Sequence, residues 1–273
     1  MFQASKPQTS TGSALRLLAL IYHATVRNLR KTHGNAVVGL LMNMMQTVVF
    51  VLAFFMMFSF MGWRGSALRG DFLLYIMSGI FLFMVHTKAM SAVVQSEGPA
   101  SAMMKHAPMN TVIAIASAAL GSLYIQILSM VIILGVYHLA FTPIVIDKPV
   151  GAMGMLLLSW FSGVAIGMVF LSIKPWFPGF TQIASSVYSR ANMIASGKMF
   201  VANQMPSYML AFFTWNPLFH TIDQCRGFVF INYNPHFSNI AYPFWLSIGL
   251  LFIGMLGEHF TRKNASISWQ AKR

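Results

Sequence analysis

The 273 residues contain one cysteine, Cys225. An intramolecular disulfide and a cysteine-based zinc cluster are therefore both excluded. Acidic residues are nearly as scarce, five Asp plus Glu against 18 Lys plus Arg, and charged residues of both signs make up 8% of the chain. A soluble domain carries about 25% charged residues because water must solvate its surface, so most of this surface faces another solvent. Familiar catalytic patterns are missing too. There is no HExxH, no pair of carboxylates within an apolar stretch, and no Gly-x-x-x-x-Gly-Lys-Ser/Thr phosphate loop. The nearest run, Ser196-Gly197-Lys198, lacks the leading glycine and the following hydroxyl, so the chain has no nucleotide site of that kind. The polar start, residues 1–12, precedes an amphipathic stretch without a small-residue cleavage site, which predicts no cleaved signal peptide.

What is abundant is apolar sequence: 57% hydrophobic residues, with a mean hydropathy of +0.66. A membrane-crossing helix needs about 20 apolar residues, and the sequence predicts six, at 35–61, 72–94, 111–139, 153–173, 179–201 and 240–256. The expected fold is all-α, a single polytopic domain over 1–273 with no separate soluble unit. Ahead of the first span, residues 13–31 place Leu15, Leu18, Tyr22, Val26 and Leu29 on one face and Arg16, His23, Arg27 and Arg30 on another, the pattern of a helix lying in the membrane interface. Residues 95–110 form a polar loop, and 260–273 a basic tail. Residues 204–235 are too apolar for an aqueous loop, yet Pro206, Pro217, Asp223 and Arg226 divide them into pieces near 208–215 and 218–231. Apolar runs of about 10 to 14 residues are more often re-entrant than spanning. In the fourth span Ser159, Gly163 and Gly167 recur every four residues, a small-residue face that admits a close neighbour.

Six spans put both termini on one side. That side collects eleven basic residues, Lys105, Lys174, Arg262 and Lys263 among them, while Arg64, Arg69, Lys148 and Arg226 fall on the other. The bias predicts cytoplasmic termini. The positive charge thus reads as a topology signal and not as a nucleic-acid surface.

Two cations fall inside the fifth span: Arg190 near its middle, and Lys198 two turns on, nearer the water of the outer boundary. A charge at bilayer centre faces a partner or a water-filled path, so Arg190 reads either as a path-lining contact for an anionic substrate or as a residue paired within the bundle. Tyr188, Tyr208, Trp215 and Trp160 can stack on sugar rings or serve packing and interfacial belts. Lys88 and the Glu258-His259 pair read as span-end residues.

The run Trp215-Asn216-Pro217-Leu218-Phe219-His220, with Asp223, Arg226 and Tyr233 after it and Ser196, Phe200 and Pro206 before it, resembles the permease subunit of type-2 exporters among the ATP-binding-cassette transporters. The resemblance is nearest to bacterial capsular polysaccharide permeases, and it extends from about Leu15 to the end of the chain. It implies an inner-membrane homodimer with two separate ATPase subunits that carry the ATP and magnesium, no cofactor on this chain, and a lipid-linked polysaccharide as cargo. Periplasmic and outer-membrane export proteins are implied as further partners. It also implies that Glu97, Gly98, Lys105 and His106, with Pro108 nearby, form the loop that docks on the ATPase. The family's Trp and Glu-Pro motif early in the first span is absent, and residues 40–45 stand there instead. Export of another lipid-linked polymer, such as O-antigen or teichoic acid, remains open, as do an ion-coupled transporter or channel and an intramembrane enzyme.

Overall fold

An apolar run with no water to satisfy its N–H and C=O groups must pair them within itself, and the helix does so. The computed structural model describes residues 18–27, 36–60, 71–96 and 111–264, which contain helices and no strand. After a helical segment at 18–27 come α1 (Ala36–Phe60), α2 (Phe72–Gln95), α3 (Thr111–Ala140), α4 (Pro149–Ile173), α5 (Pro178–Ala195), a 3-10 turn (Ala202–Gln204), α6 (Ser207–Leu210), α7 (Pro217–Val229) and α8 (Ala241–Asn264). Five of these, α1 to α4 and α8, are long and apolar enough to cross a membrane.

The expected fifth span is the exception. Instead of running over 179–201, the helix stops at Ala195, and its Gln182, Ser185, Ser186, Ser189, Arg190 and Asn192 make it too polar to count among the candidate spans. It ends because Gly197 turns into the left-handed region at φ 67°. A Cβ there would also meet the Phe219 ring at 2.5 Å. Two other boundaries move as well. α4 begins at Pro149, whose fixed φ and missing N–H suit a first helical turn, and α8 continues eight residues past the expected 256.

Side-chain pairings fix the helix directions. Ser159 Oγ donates to the Leu82 carbonyl at 2.9 Å, and Cβ atoms on Gly163 and Gly167 would lie 2.3 Å from the His86 carbonyl oxygen and 2.9 Å from that of Met90. The small-residue face of α4 therefore lies along α2, and the two run parallel. α8 runs the same way, since Thr261 donates to the Ser172 carbonyl at 3.1 Å, at the end where Lys174 donates to the Val94 carbonyl. α1 and α3 run opposite to these. Phe58 meets Phe72, Tyr137 donates to Asp71, and Thr111 donates to Glu258. The bundle thus has a basic end, with Lys174, Arg262 and Lys263, and an opposite end that bears Asp71, Lys148 and the segment between α5 and α8.

Polar side chains tie the bundle internally. Asn43 on α1 donates to Ser129 and accepts from Gln126 on α3, each at 2.9 Å. His86 on α2 is fully enclosed: Nδ1 donates to Ser162 Oγ (2.9 Å) and the Ser159 carbonyl (3.2 Å), and Nε2 accepts from the Tyr188 hydroxyl (2.9 Å). Lys88, expected at a span boundary, lies within α2 and donates to Gln46 on α1 at 2.6 Å.

Candidate functional site: the broken hairpin and the outward face of α5

The segment from Ser196 to Ala241 is held together by its own polar residues. Asn216 caps α7, its Oδ1 accepting from the Leu218 N–H at 3.0 Å, while its amide donates to Asn192 Oδ1 (2.7 Å) and to the Ala195 carbonyl (2.8 Å). Pro217 follows at the first helical position, where its lack of a donor costs nothing. The Asn-Pro pair thus starts α7 and fastens it to the end of α5.

Arg226, 1% exposed, lies three residues from Asp223, but the two make no ion pair. Its Nη1 donates to the Phe200 carbonyl at 2.6 Å, its Nη2 to that of Lys198, and its Cζ lies 4.2 Å from the centroid of the Tyr75 ring on α2. The guanidinium gathers the turn that follows α5. Asp223 accepts instead from Tyr233 and from Ser238 Oγ (2.7 Å), which draws the chain after α7 back along it. His220 completes the fold-back, donating to the Thr214 carbonyl (2.7 Å) and accepting from the Asn239 N–H (3.0 Å). Arg226, counted from the sequence among the basic residues of one membrane side, is therefore a carbonyl-bonded core residue.

Lys198 differs most from expectation. It is 4% exposed, its Nζ lies 3.4 Å from the Phe83 ring centroid and 5.0 Å from that of Phe54, and it finds no hydrogen-bond partner among the described residues. It is a buried cation against aromatic faces rather than a boundary residue solvated by water.

Arg190 is exposed, in one stripe along α5 with Gln182, Ile183, Ser186, Val187 and Ile194. Tyr188 points the other way, into the bundle at His86. Tyr208 and Trp215 are 71% and 58% exposed, and Trp160 donates from its indole to the Ala119 carbonyl at 3.0 Å, a packing role. Arg190 and Lys198 therefore do not share a face, and Tyr188 stands apart from both. Cys225, the single cysteine, is 3% exposed and so closed to labelling. Glu258 takes its bond from Thr111 rather than pairing with His259. Glu97, Gly98, Lys105 and His106 lie outside the described residues, as do parts of the interface helix (13–17 and 28–31) and the tail beyond 264.

Among the described residues no group of three His, Cys, Asp or Glu is placed to hold a metal ion. The chain matches no model of a known protein family, and no curated protein is found to be similar to it.

The polar network that joins α2, α4 and α5 through His86 was missed from the sequence. Its signal was a histidine in the middle of an apolar run, together with two serines three residues apart on α4.

Proposed function

We propose that the chain is the permease subunit of an ATP-driven exporter of a lipid-linked polysaccharide, working as a pair of copies with two separate ATPase subunits in a bacterial inner membrane. The observation that carries this reading is the broken hairpin before the last span. Of the residues that produce the sequence resemblance, Asn216, Asp223 and Arg226 build it with their hydrogen bonds and Pro217 starts α7. In this reading α5 is the sixth crossing: its 18 residues cover about 27 Å at 1.5 Å per residue, close to the roughly 30 Å of a bilayer core. It starts beside α4 and α8 at the basic end and reaches the hairpin at Asn192.

The polarity of α5 supports a role for its outward stripe. An arginine at this depth facing lipid would cost about 2.5–3.5 kcal/mol on insertion scales, so Arg190, Gln182 and Ser186 face a second copy or a hydrated path between copies. The basic end is cytoplasmic. ATP and magnesium are bound by the partner ATPase, and this chain receives its motion through the loop 95–110.

The test is whether the neighbouring reading frame encodes a soluble protein with a Walker phosphate loop, followed by co-expression with that protein and reconstitution in vesicles. Co-purification and ATP-dependent movement of a lipid-linked glycan are expected. A chain that binds no ATPase, or that moves an ion without ATP, is not this exporter.

A further inference from the structure

Of the cations in the five apolar spans, Arg262 and Lys263 fall in the last turn of α8, whereas Lys88 lies inside α2. It stands seven residues before the end of that helix at Gln95, about 10 Å along the axis at 1.5 Å per residue. Its Nζ donates to Gln46 Oε1 at 2.6 Å and meets no carboxylate among the described residues. A neutral amide alone does not offset a charge at this depth. A lysine that snorkels turns its amine toward the headgroups, but this one reaches across. The Phe50–Phe83 ring contact, 6.4 Å between centroids, lies four residues further along α1 and five residues back along α2, so Gln46 and Lys88 sit at one level of the antiparallel pair.

The surface around Lys88 is polar. From Leu74 onward α2 buries every residue except Thr87, Lys88, Ser91, Ala92 and Gln95, which recur at three and four positions and so share one face. Gln95 donates to Ser91 Oγ at 2.7 Å and Thr87 to the Phe83 carbonyl at 2.8 Å, so a row of hydroxyls and amides runs from the end of the helix to Lys88. Across from it on α1, Met42, Gln46 and Val49 share an exposed face. A cation and an amide with a polar approach from the basic end, bordered by exposed apolar side chains, suit a phosphate that carries acyl chains.

We infer that Lys88 and Gln46 bind the phosphate of an anionic lipid that enters from the leaflet at the basic end along the stripe of Thr87, Ser91 and Gln95. The phosphate oxygens accept charge-assisted bonds from the Lys88 ammonium and a further bond from the Gln46 amide, while the acyl chains lie on Met42 and Val49. Anionic headgroups are concentrated in the cytoplasmic leaflet, the side on which the positive bias places this end. The site stands on these residues and goes beyond the exporter reading without needing it.

The full chain is purified and probed with phosphatidylglycerol, by native mass spectrometry and by the rise in thermal midpoint as the lipid is added. Lys88→Gln should bind about fivefold more weakly, the scale of one lysine at an anionic headgroup, and lose the midpoint rise while its lipid-free midpoint stays at or above the wild-type value. Lys88→Arg should keep both. Ser91→Leu blocks the stripe but leaves the charge, and should weaken binding as well; it decides the matter if Lys88→Gln does not fold. Binding as tight as wild type in either folded variant overturns the site. Inorganic phosphate should not compete, and competition by it would make this a site for free anions and overturn the lipid assignment. In nanodiscs containing phosphatidylglycerol, a spin label on Ser91→Cys in a Cys225→Ser background should be relaxed by a water-soluble nickel chelate more than one on Met42→Cys. Shielding of position 91 from both the chelate and oxygen would mean that a second copy covers the stripe, and overturns the site. A lipid whose phosphate carries a disaccharide then names the source: displacement of phosphatidylglycerol marks a cargo site, and no displacement a resident lipid. Binding at Lys88 stands in both cases, and it stands too if the chain assembles with no ATPase and the exporter reading fails.

Discussion

Arg190 and Asp71 show how a single charge is decided by its surroundings. Arg190 is exposed and has no hydrogen-bond or ion-pair partner among the described residues, so in the exporter reading its partner lies outside α5. A phosphate or sugar carboxylate passing along the stripe would accept two parallel N–H bonds from the guanidinium, which a lysine replaces only by a point charge. Export in vesicles should therefore fall in the order wild type, Arg190→Lys, Arg190→Leu at equal membrane abundance, and full export by Arg190→Leu ends the path assignment. Asp71 lies before α2, where one oxygen caps the helix through the Leu73 N–H at 2.9 Å and the other accepts from Tyr137 and from Thr142 at 2.9 Å. Burial pushes its pKa up, but the bonds from Tyr137, Thr142, Leu73 and Leu74 outweigh that and hold the carboxyl below its usual value. A lowered native pKa stabilises above the unfolded value of about 3.9 and is lost as pH falls through the native one. Between about pH 6 and pH 3 the thermal midpoint of the wild type should therefore drop more steeply than that of Asp71→Asn, which has no carboxyl to titrate.

Among the elements, α4 carries the sharpest contrast. A Cβ at Gly163 would meet backbone of α2 at 2.3 Å, whereas one at Gly154 meets nothing within 4 Å. Gly163→Ala must part the two helices and should lose about 1–3 kcal/mol. Gly154→Ala should be neutral or gain up to about 1 kcal/mol of helix propensity. Helical circular dichroism on heating in detergent separates the two, and equal midpoints would mean that α2 and α4 are not in contact as described. The Ser159-Gly163-Gly167 face was legible in the sequence because small residues at helical spacing have one use in an apolar helix, but which helix it receives was not. The same limit hid the His86–Tyr188 and Asn43–Gln126–Ser129 bonds, since a polar residue in a span announces that it has a partner and not where. The end of α5 was misread because hydropathy continues through Met199, Phe200 and Val201, while the helix stops at a left-handed glycine packed under Phe219.

For the whole molecule, α4 as a crossing puts Lys148 and Lys174, which flank it, on opposite sides of the membrane. Because Cys225 is buried, cysteines introduced at 148 and 174 in a Cys225→Ser background are the suitable probes. An impermeant maleimide added to spheroplasts should modify the first and spare the second, and the reverse pattern would invert the molecule. The five apolar spans were readable from composition because each satisfies its backbone alone. Lys198 and Arg226 were misplaced because a charge count assigns every cation to water, whereas these two are enclosed by Phe83 and by the carbonyls of Lys198 and Phe200.

Those carbonyls bear on biogenesis. The oxygens that surround Arg226 come from residues 198 and 200, and the ring over which it lies comes from Tyr75, far earlier in the chain. These partners precede Arg226 in the chain but must first come together around it, and until they do a bare guanidinium is rejected by the lipid. The hairpin is therefore expected to dock once α2 and α5 stand together, as a folding step rather than an insertion step. In pulse-labelled membranes it should become protease-resistant later than α8, although it is made first.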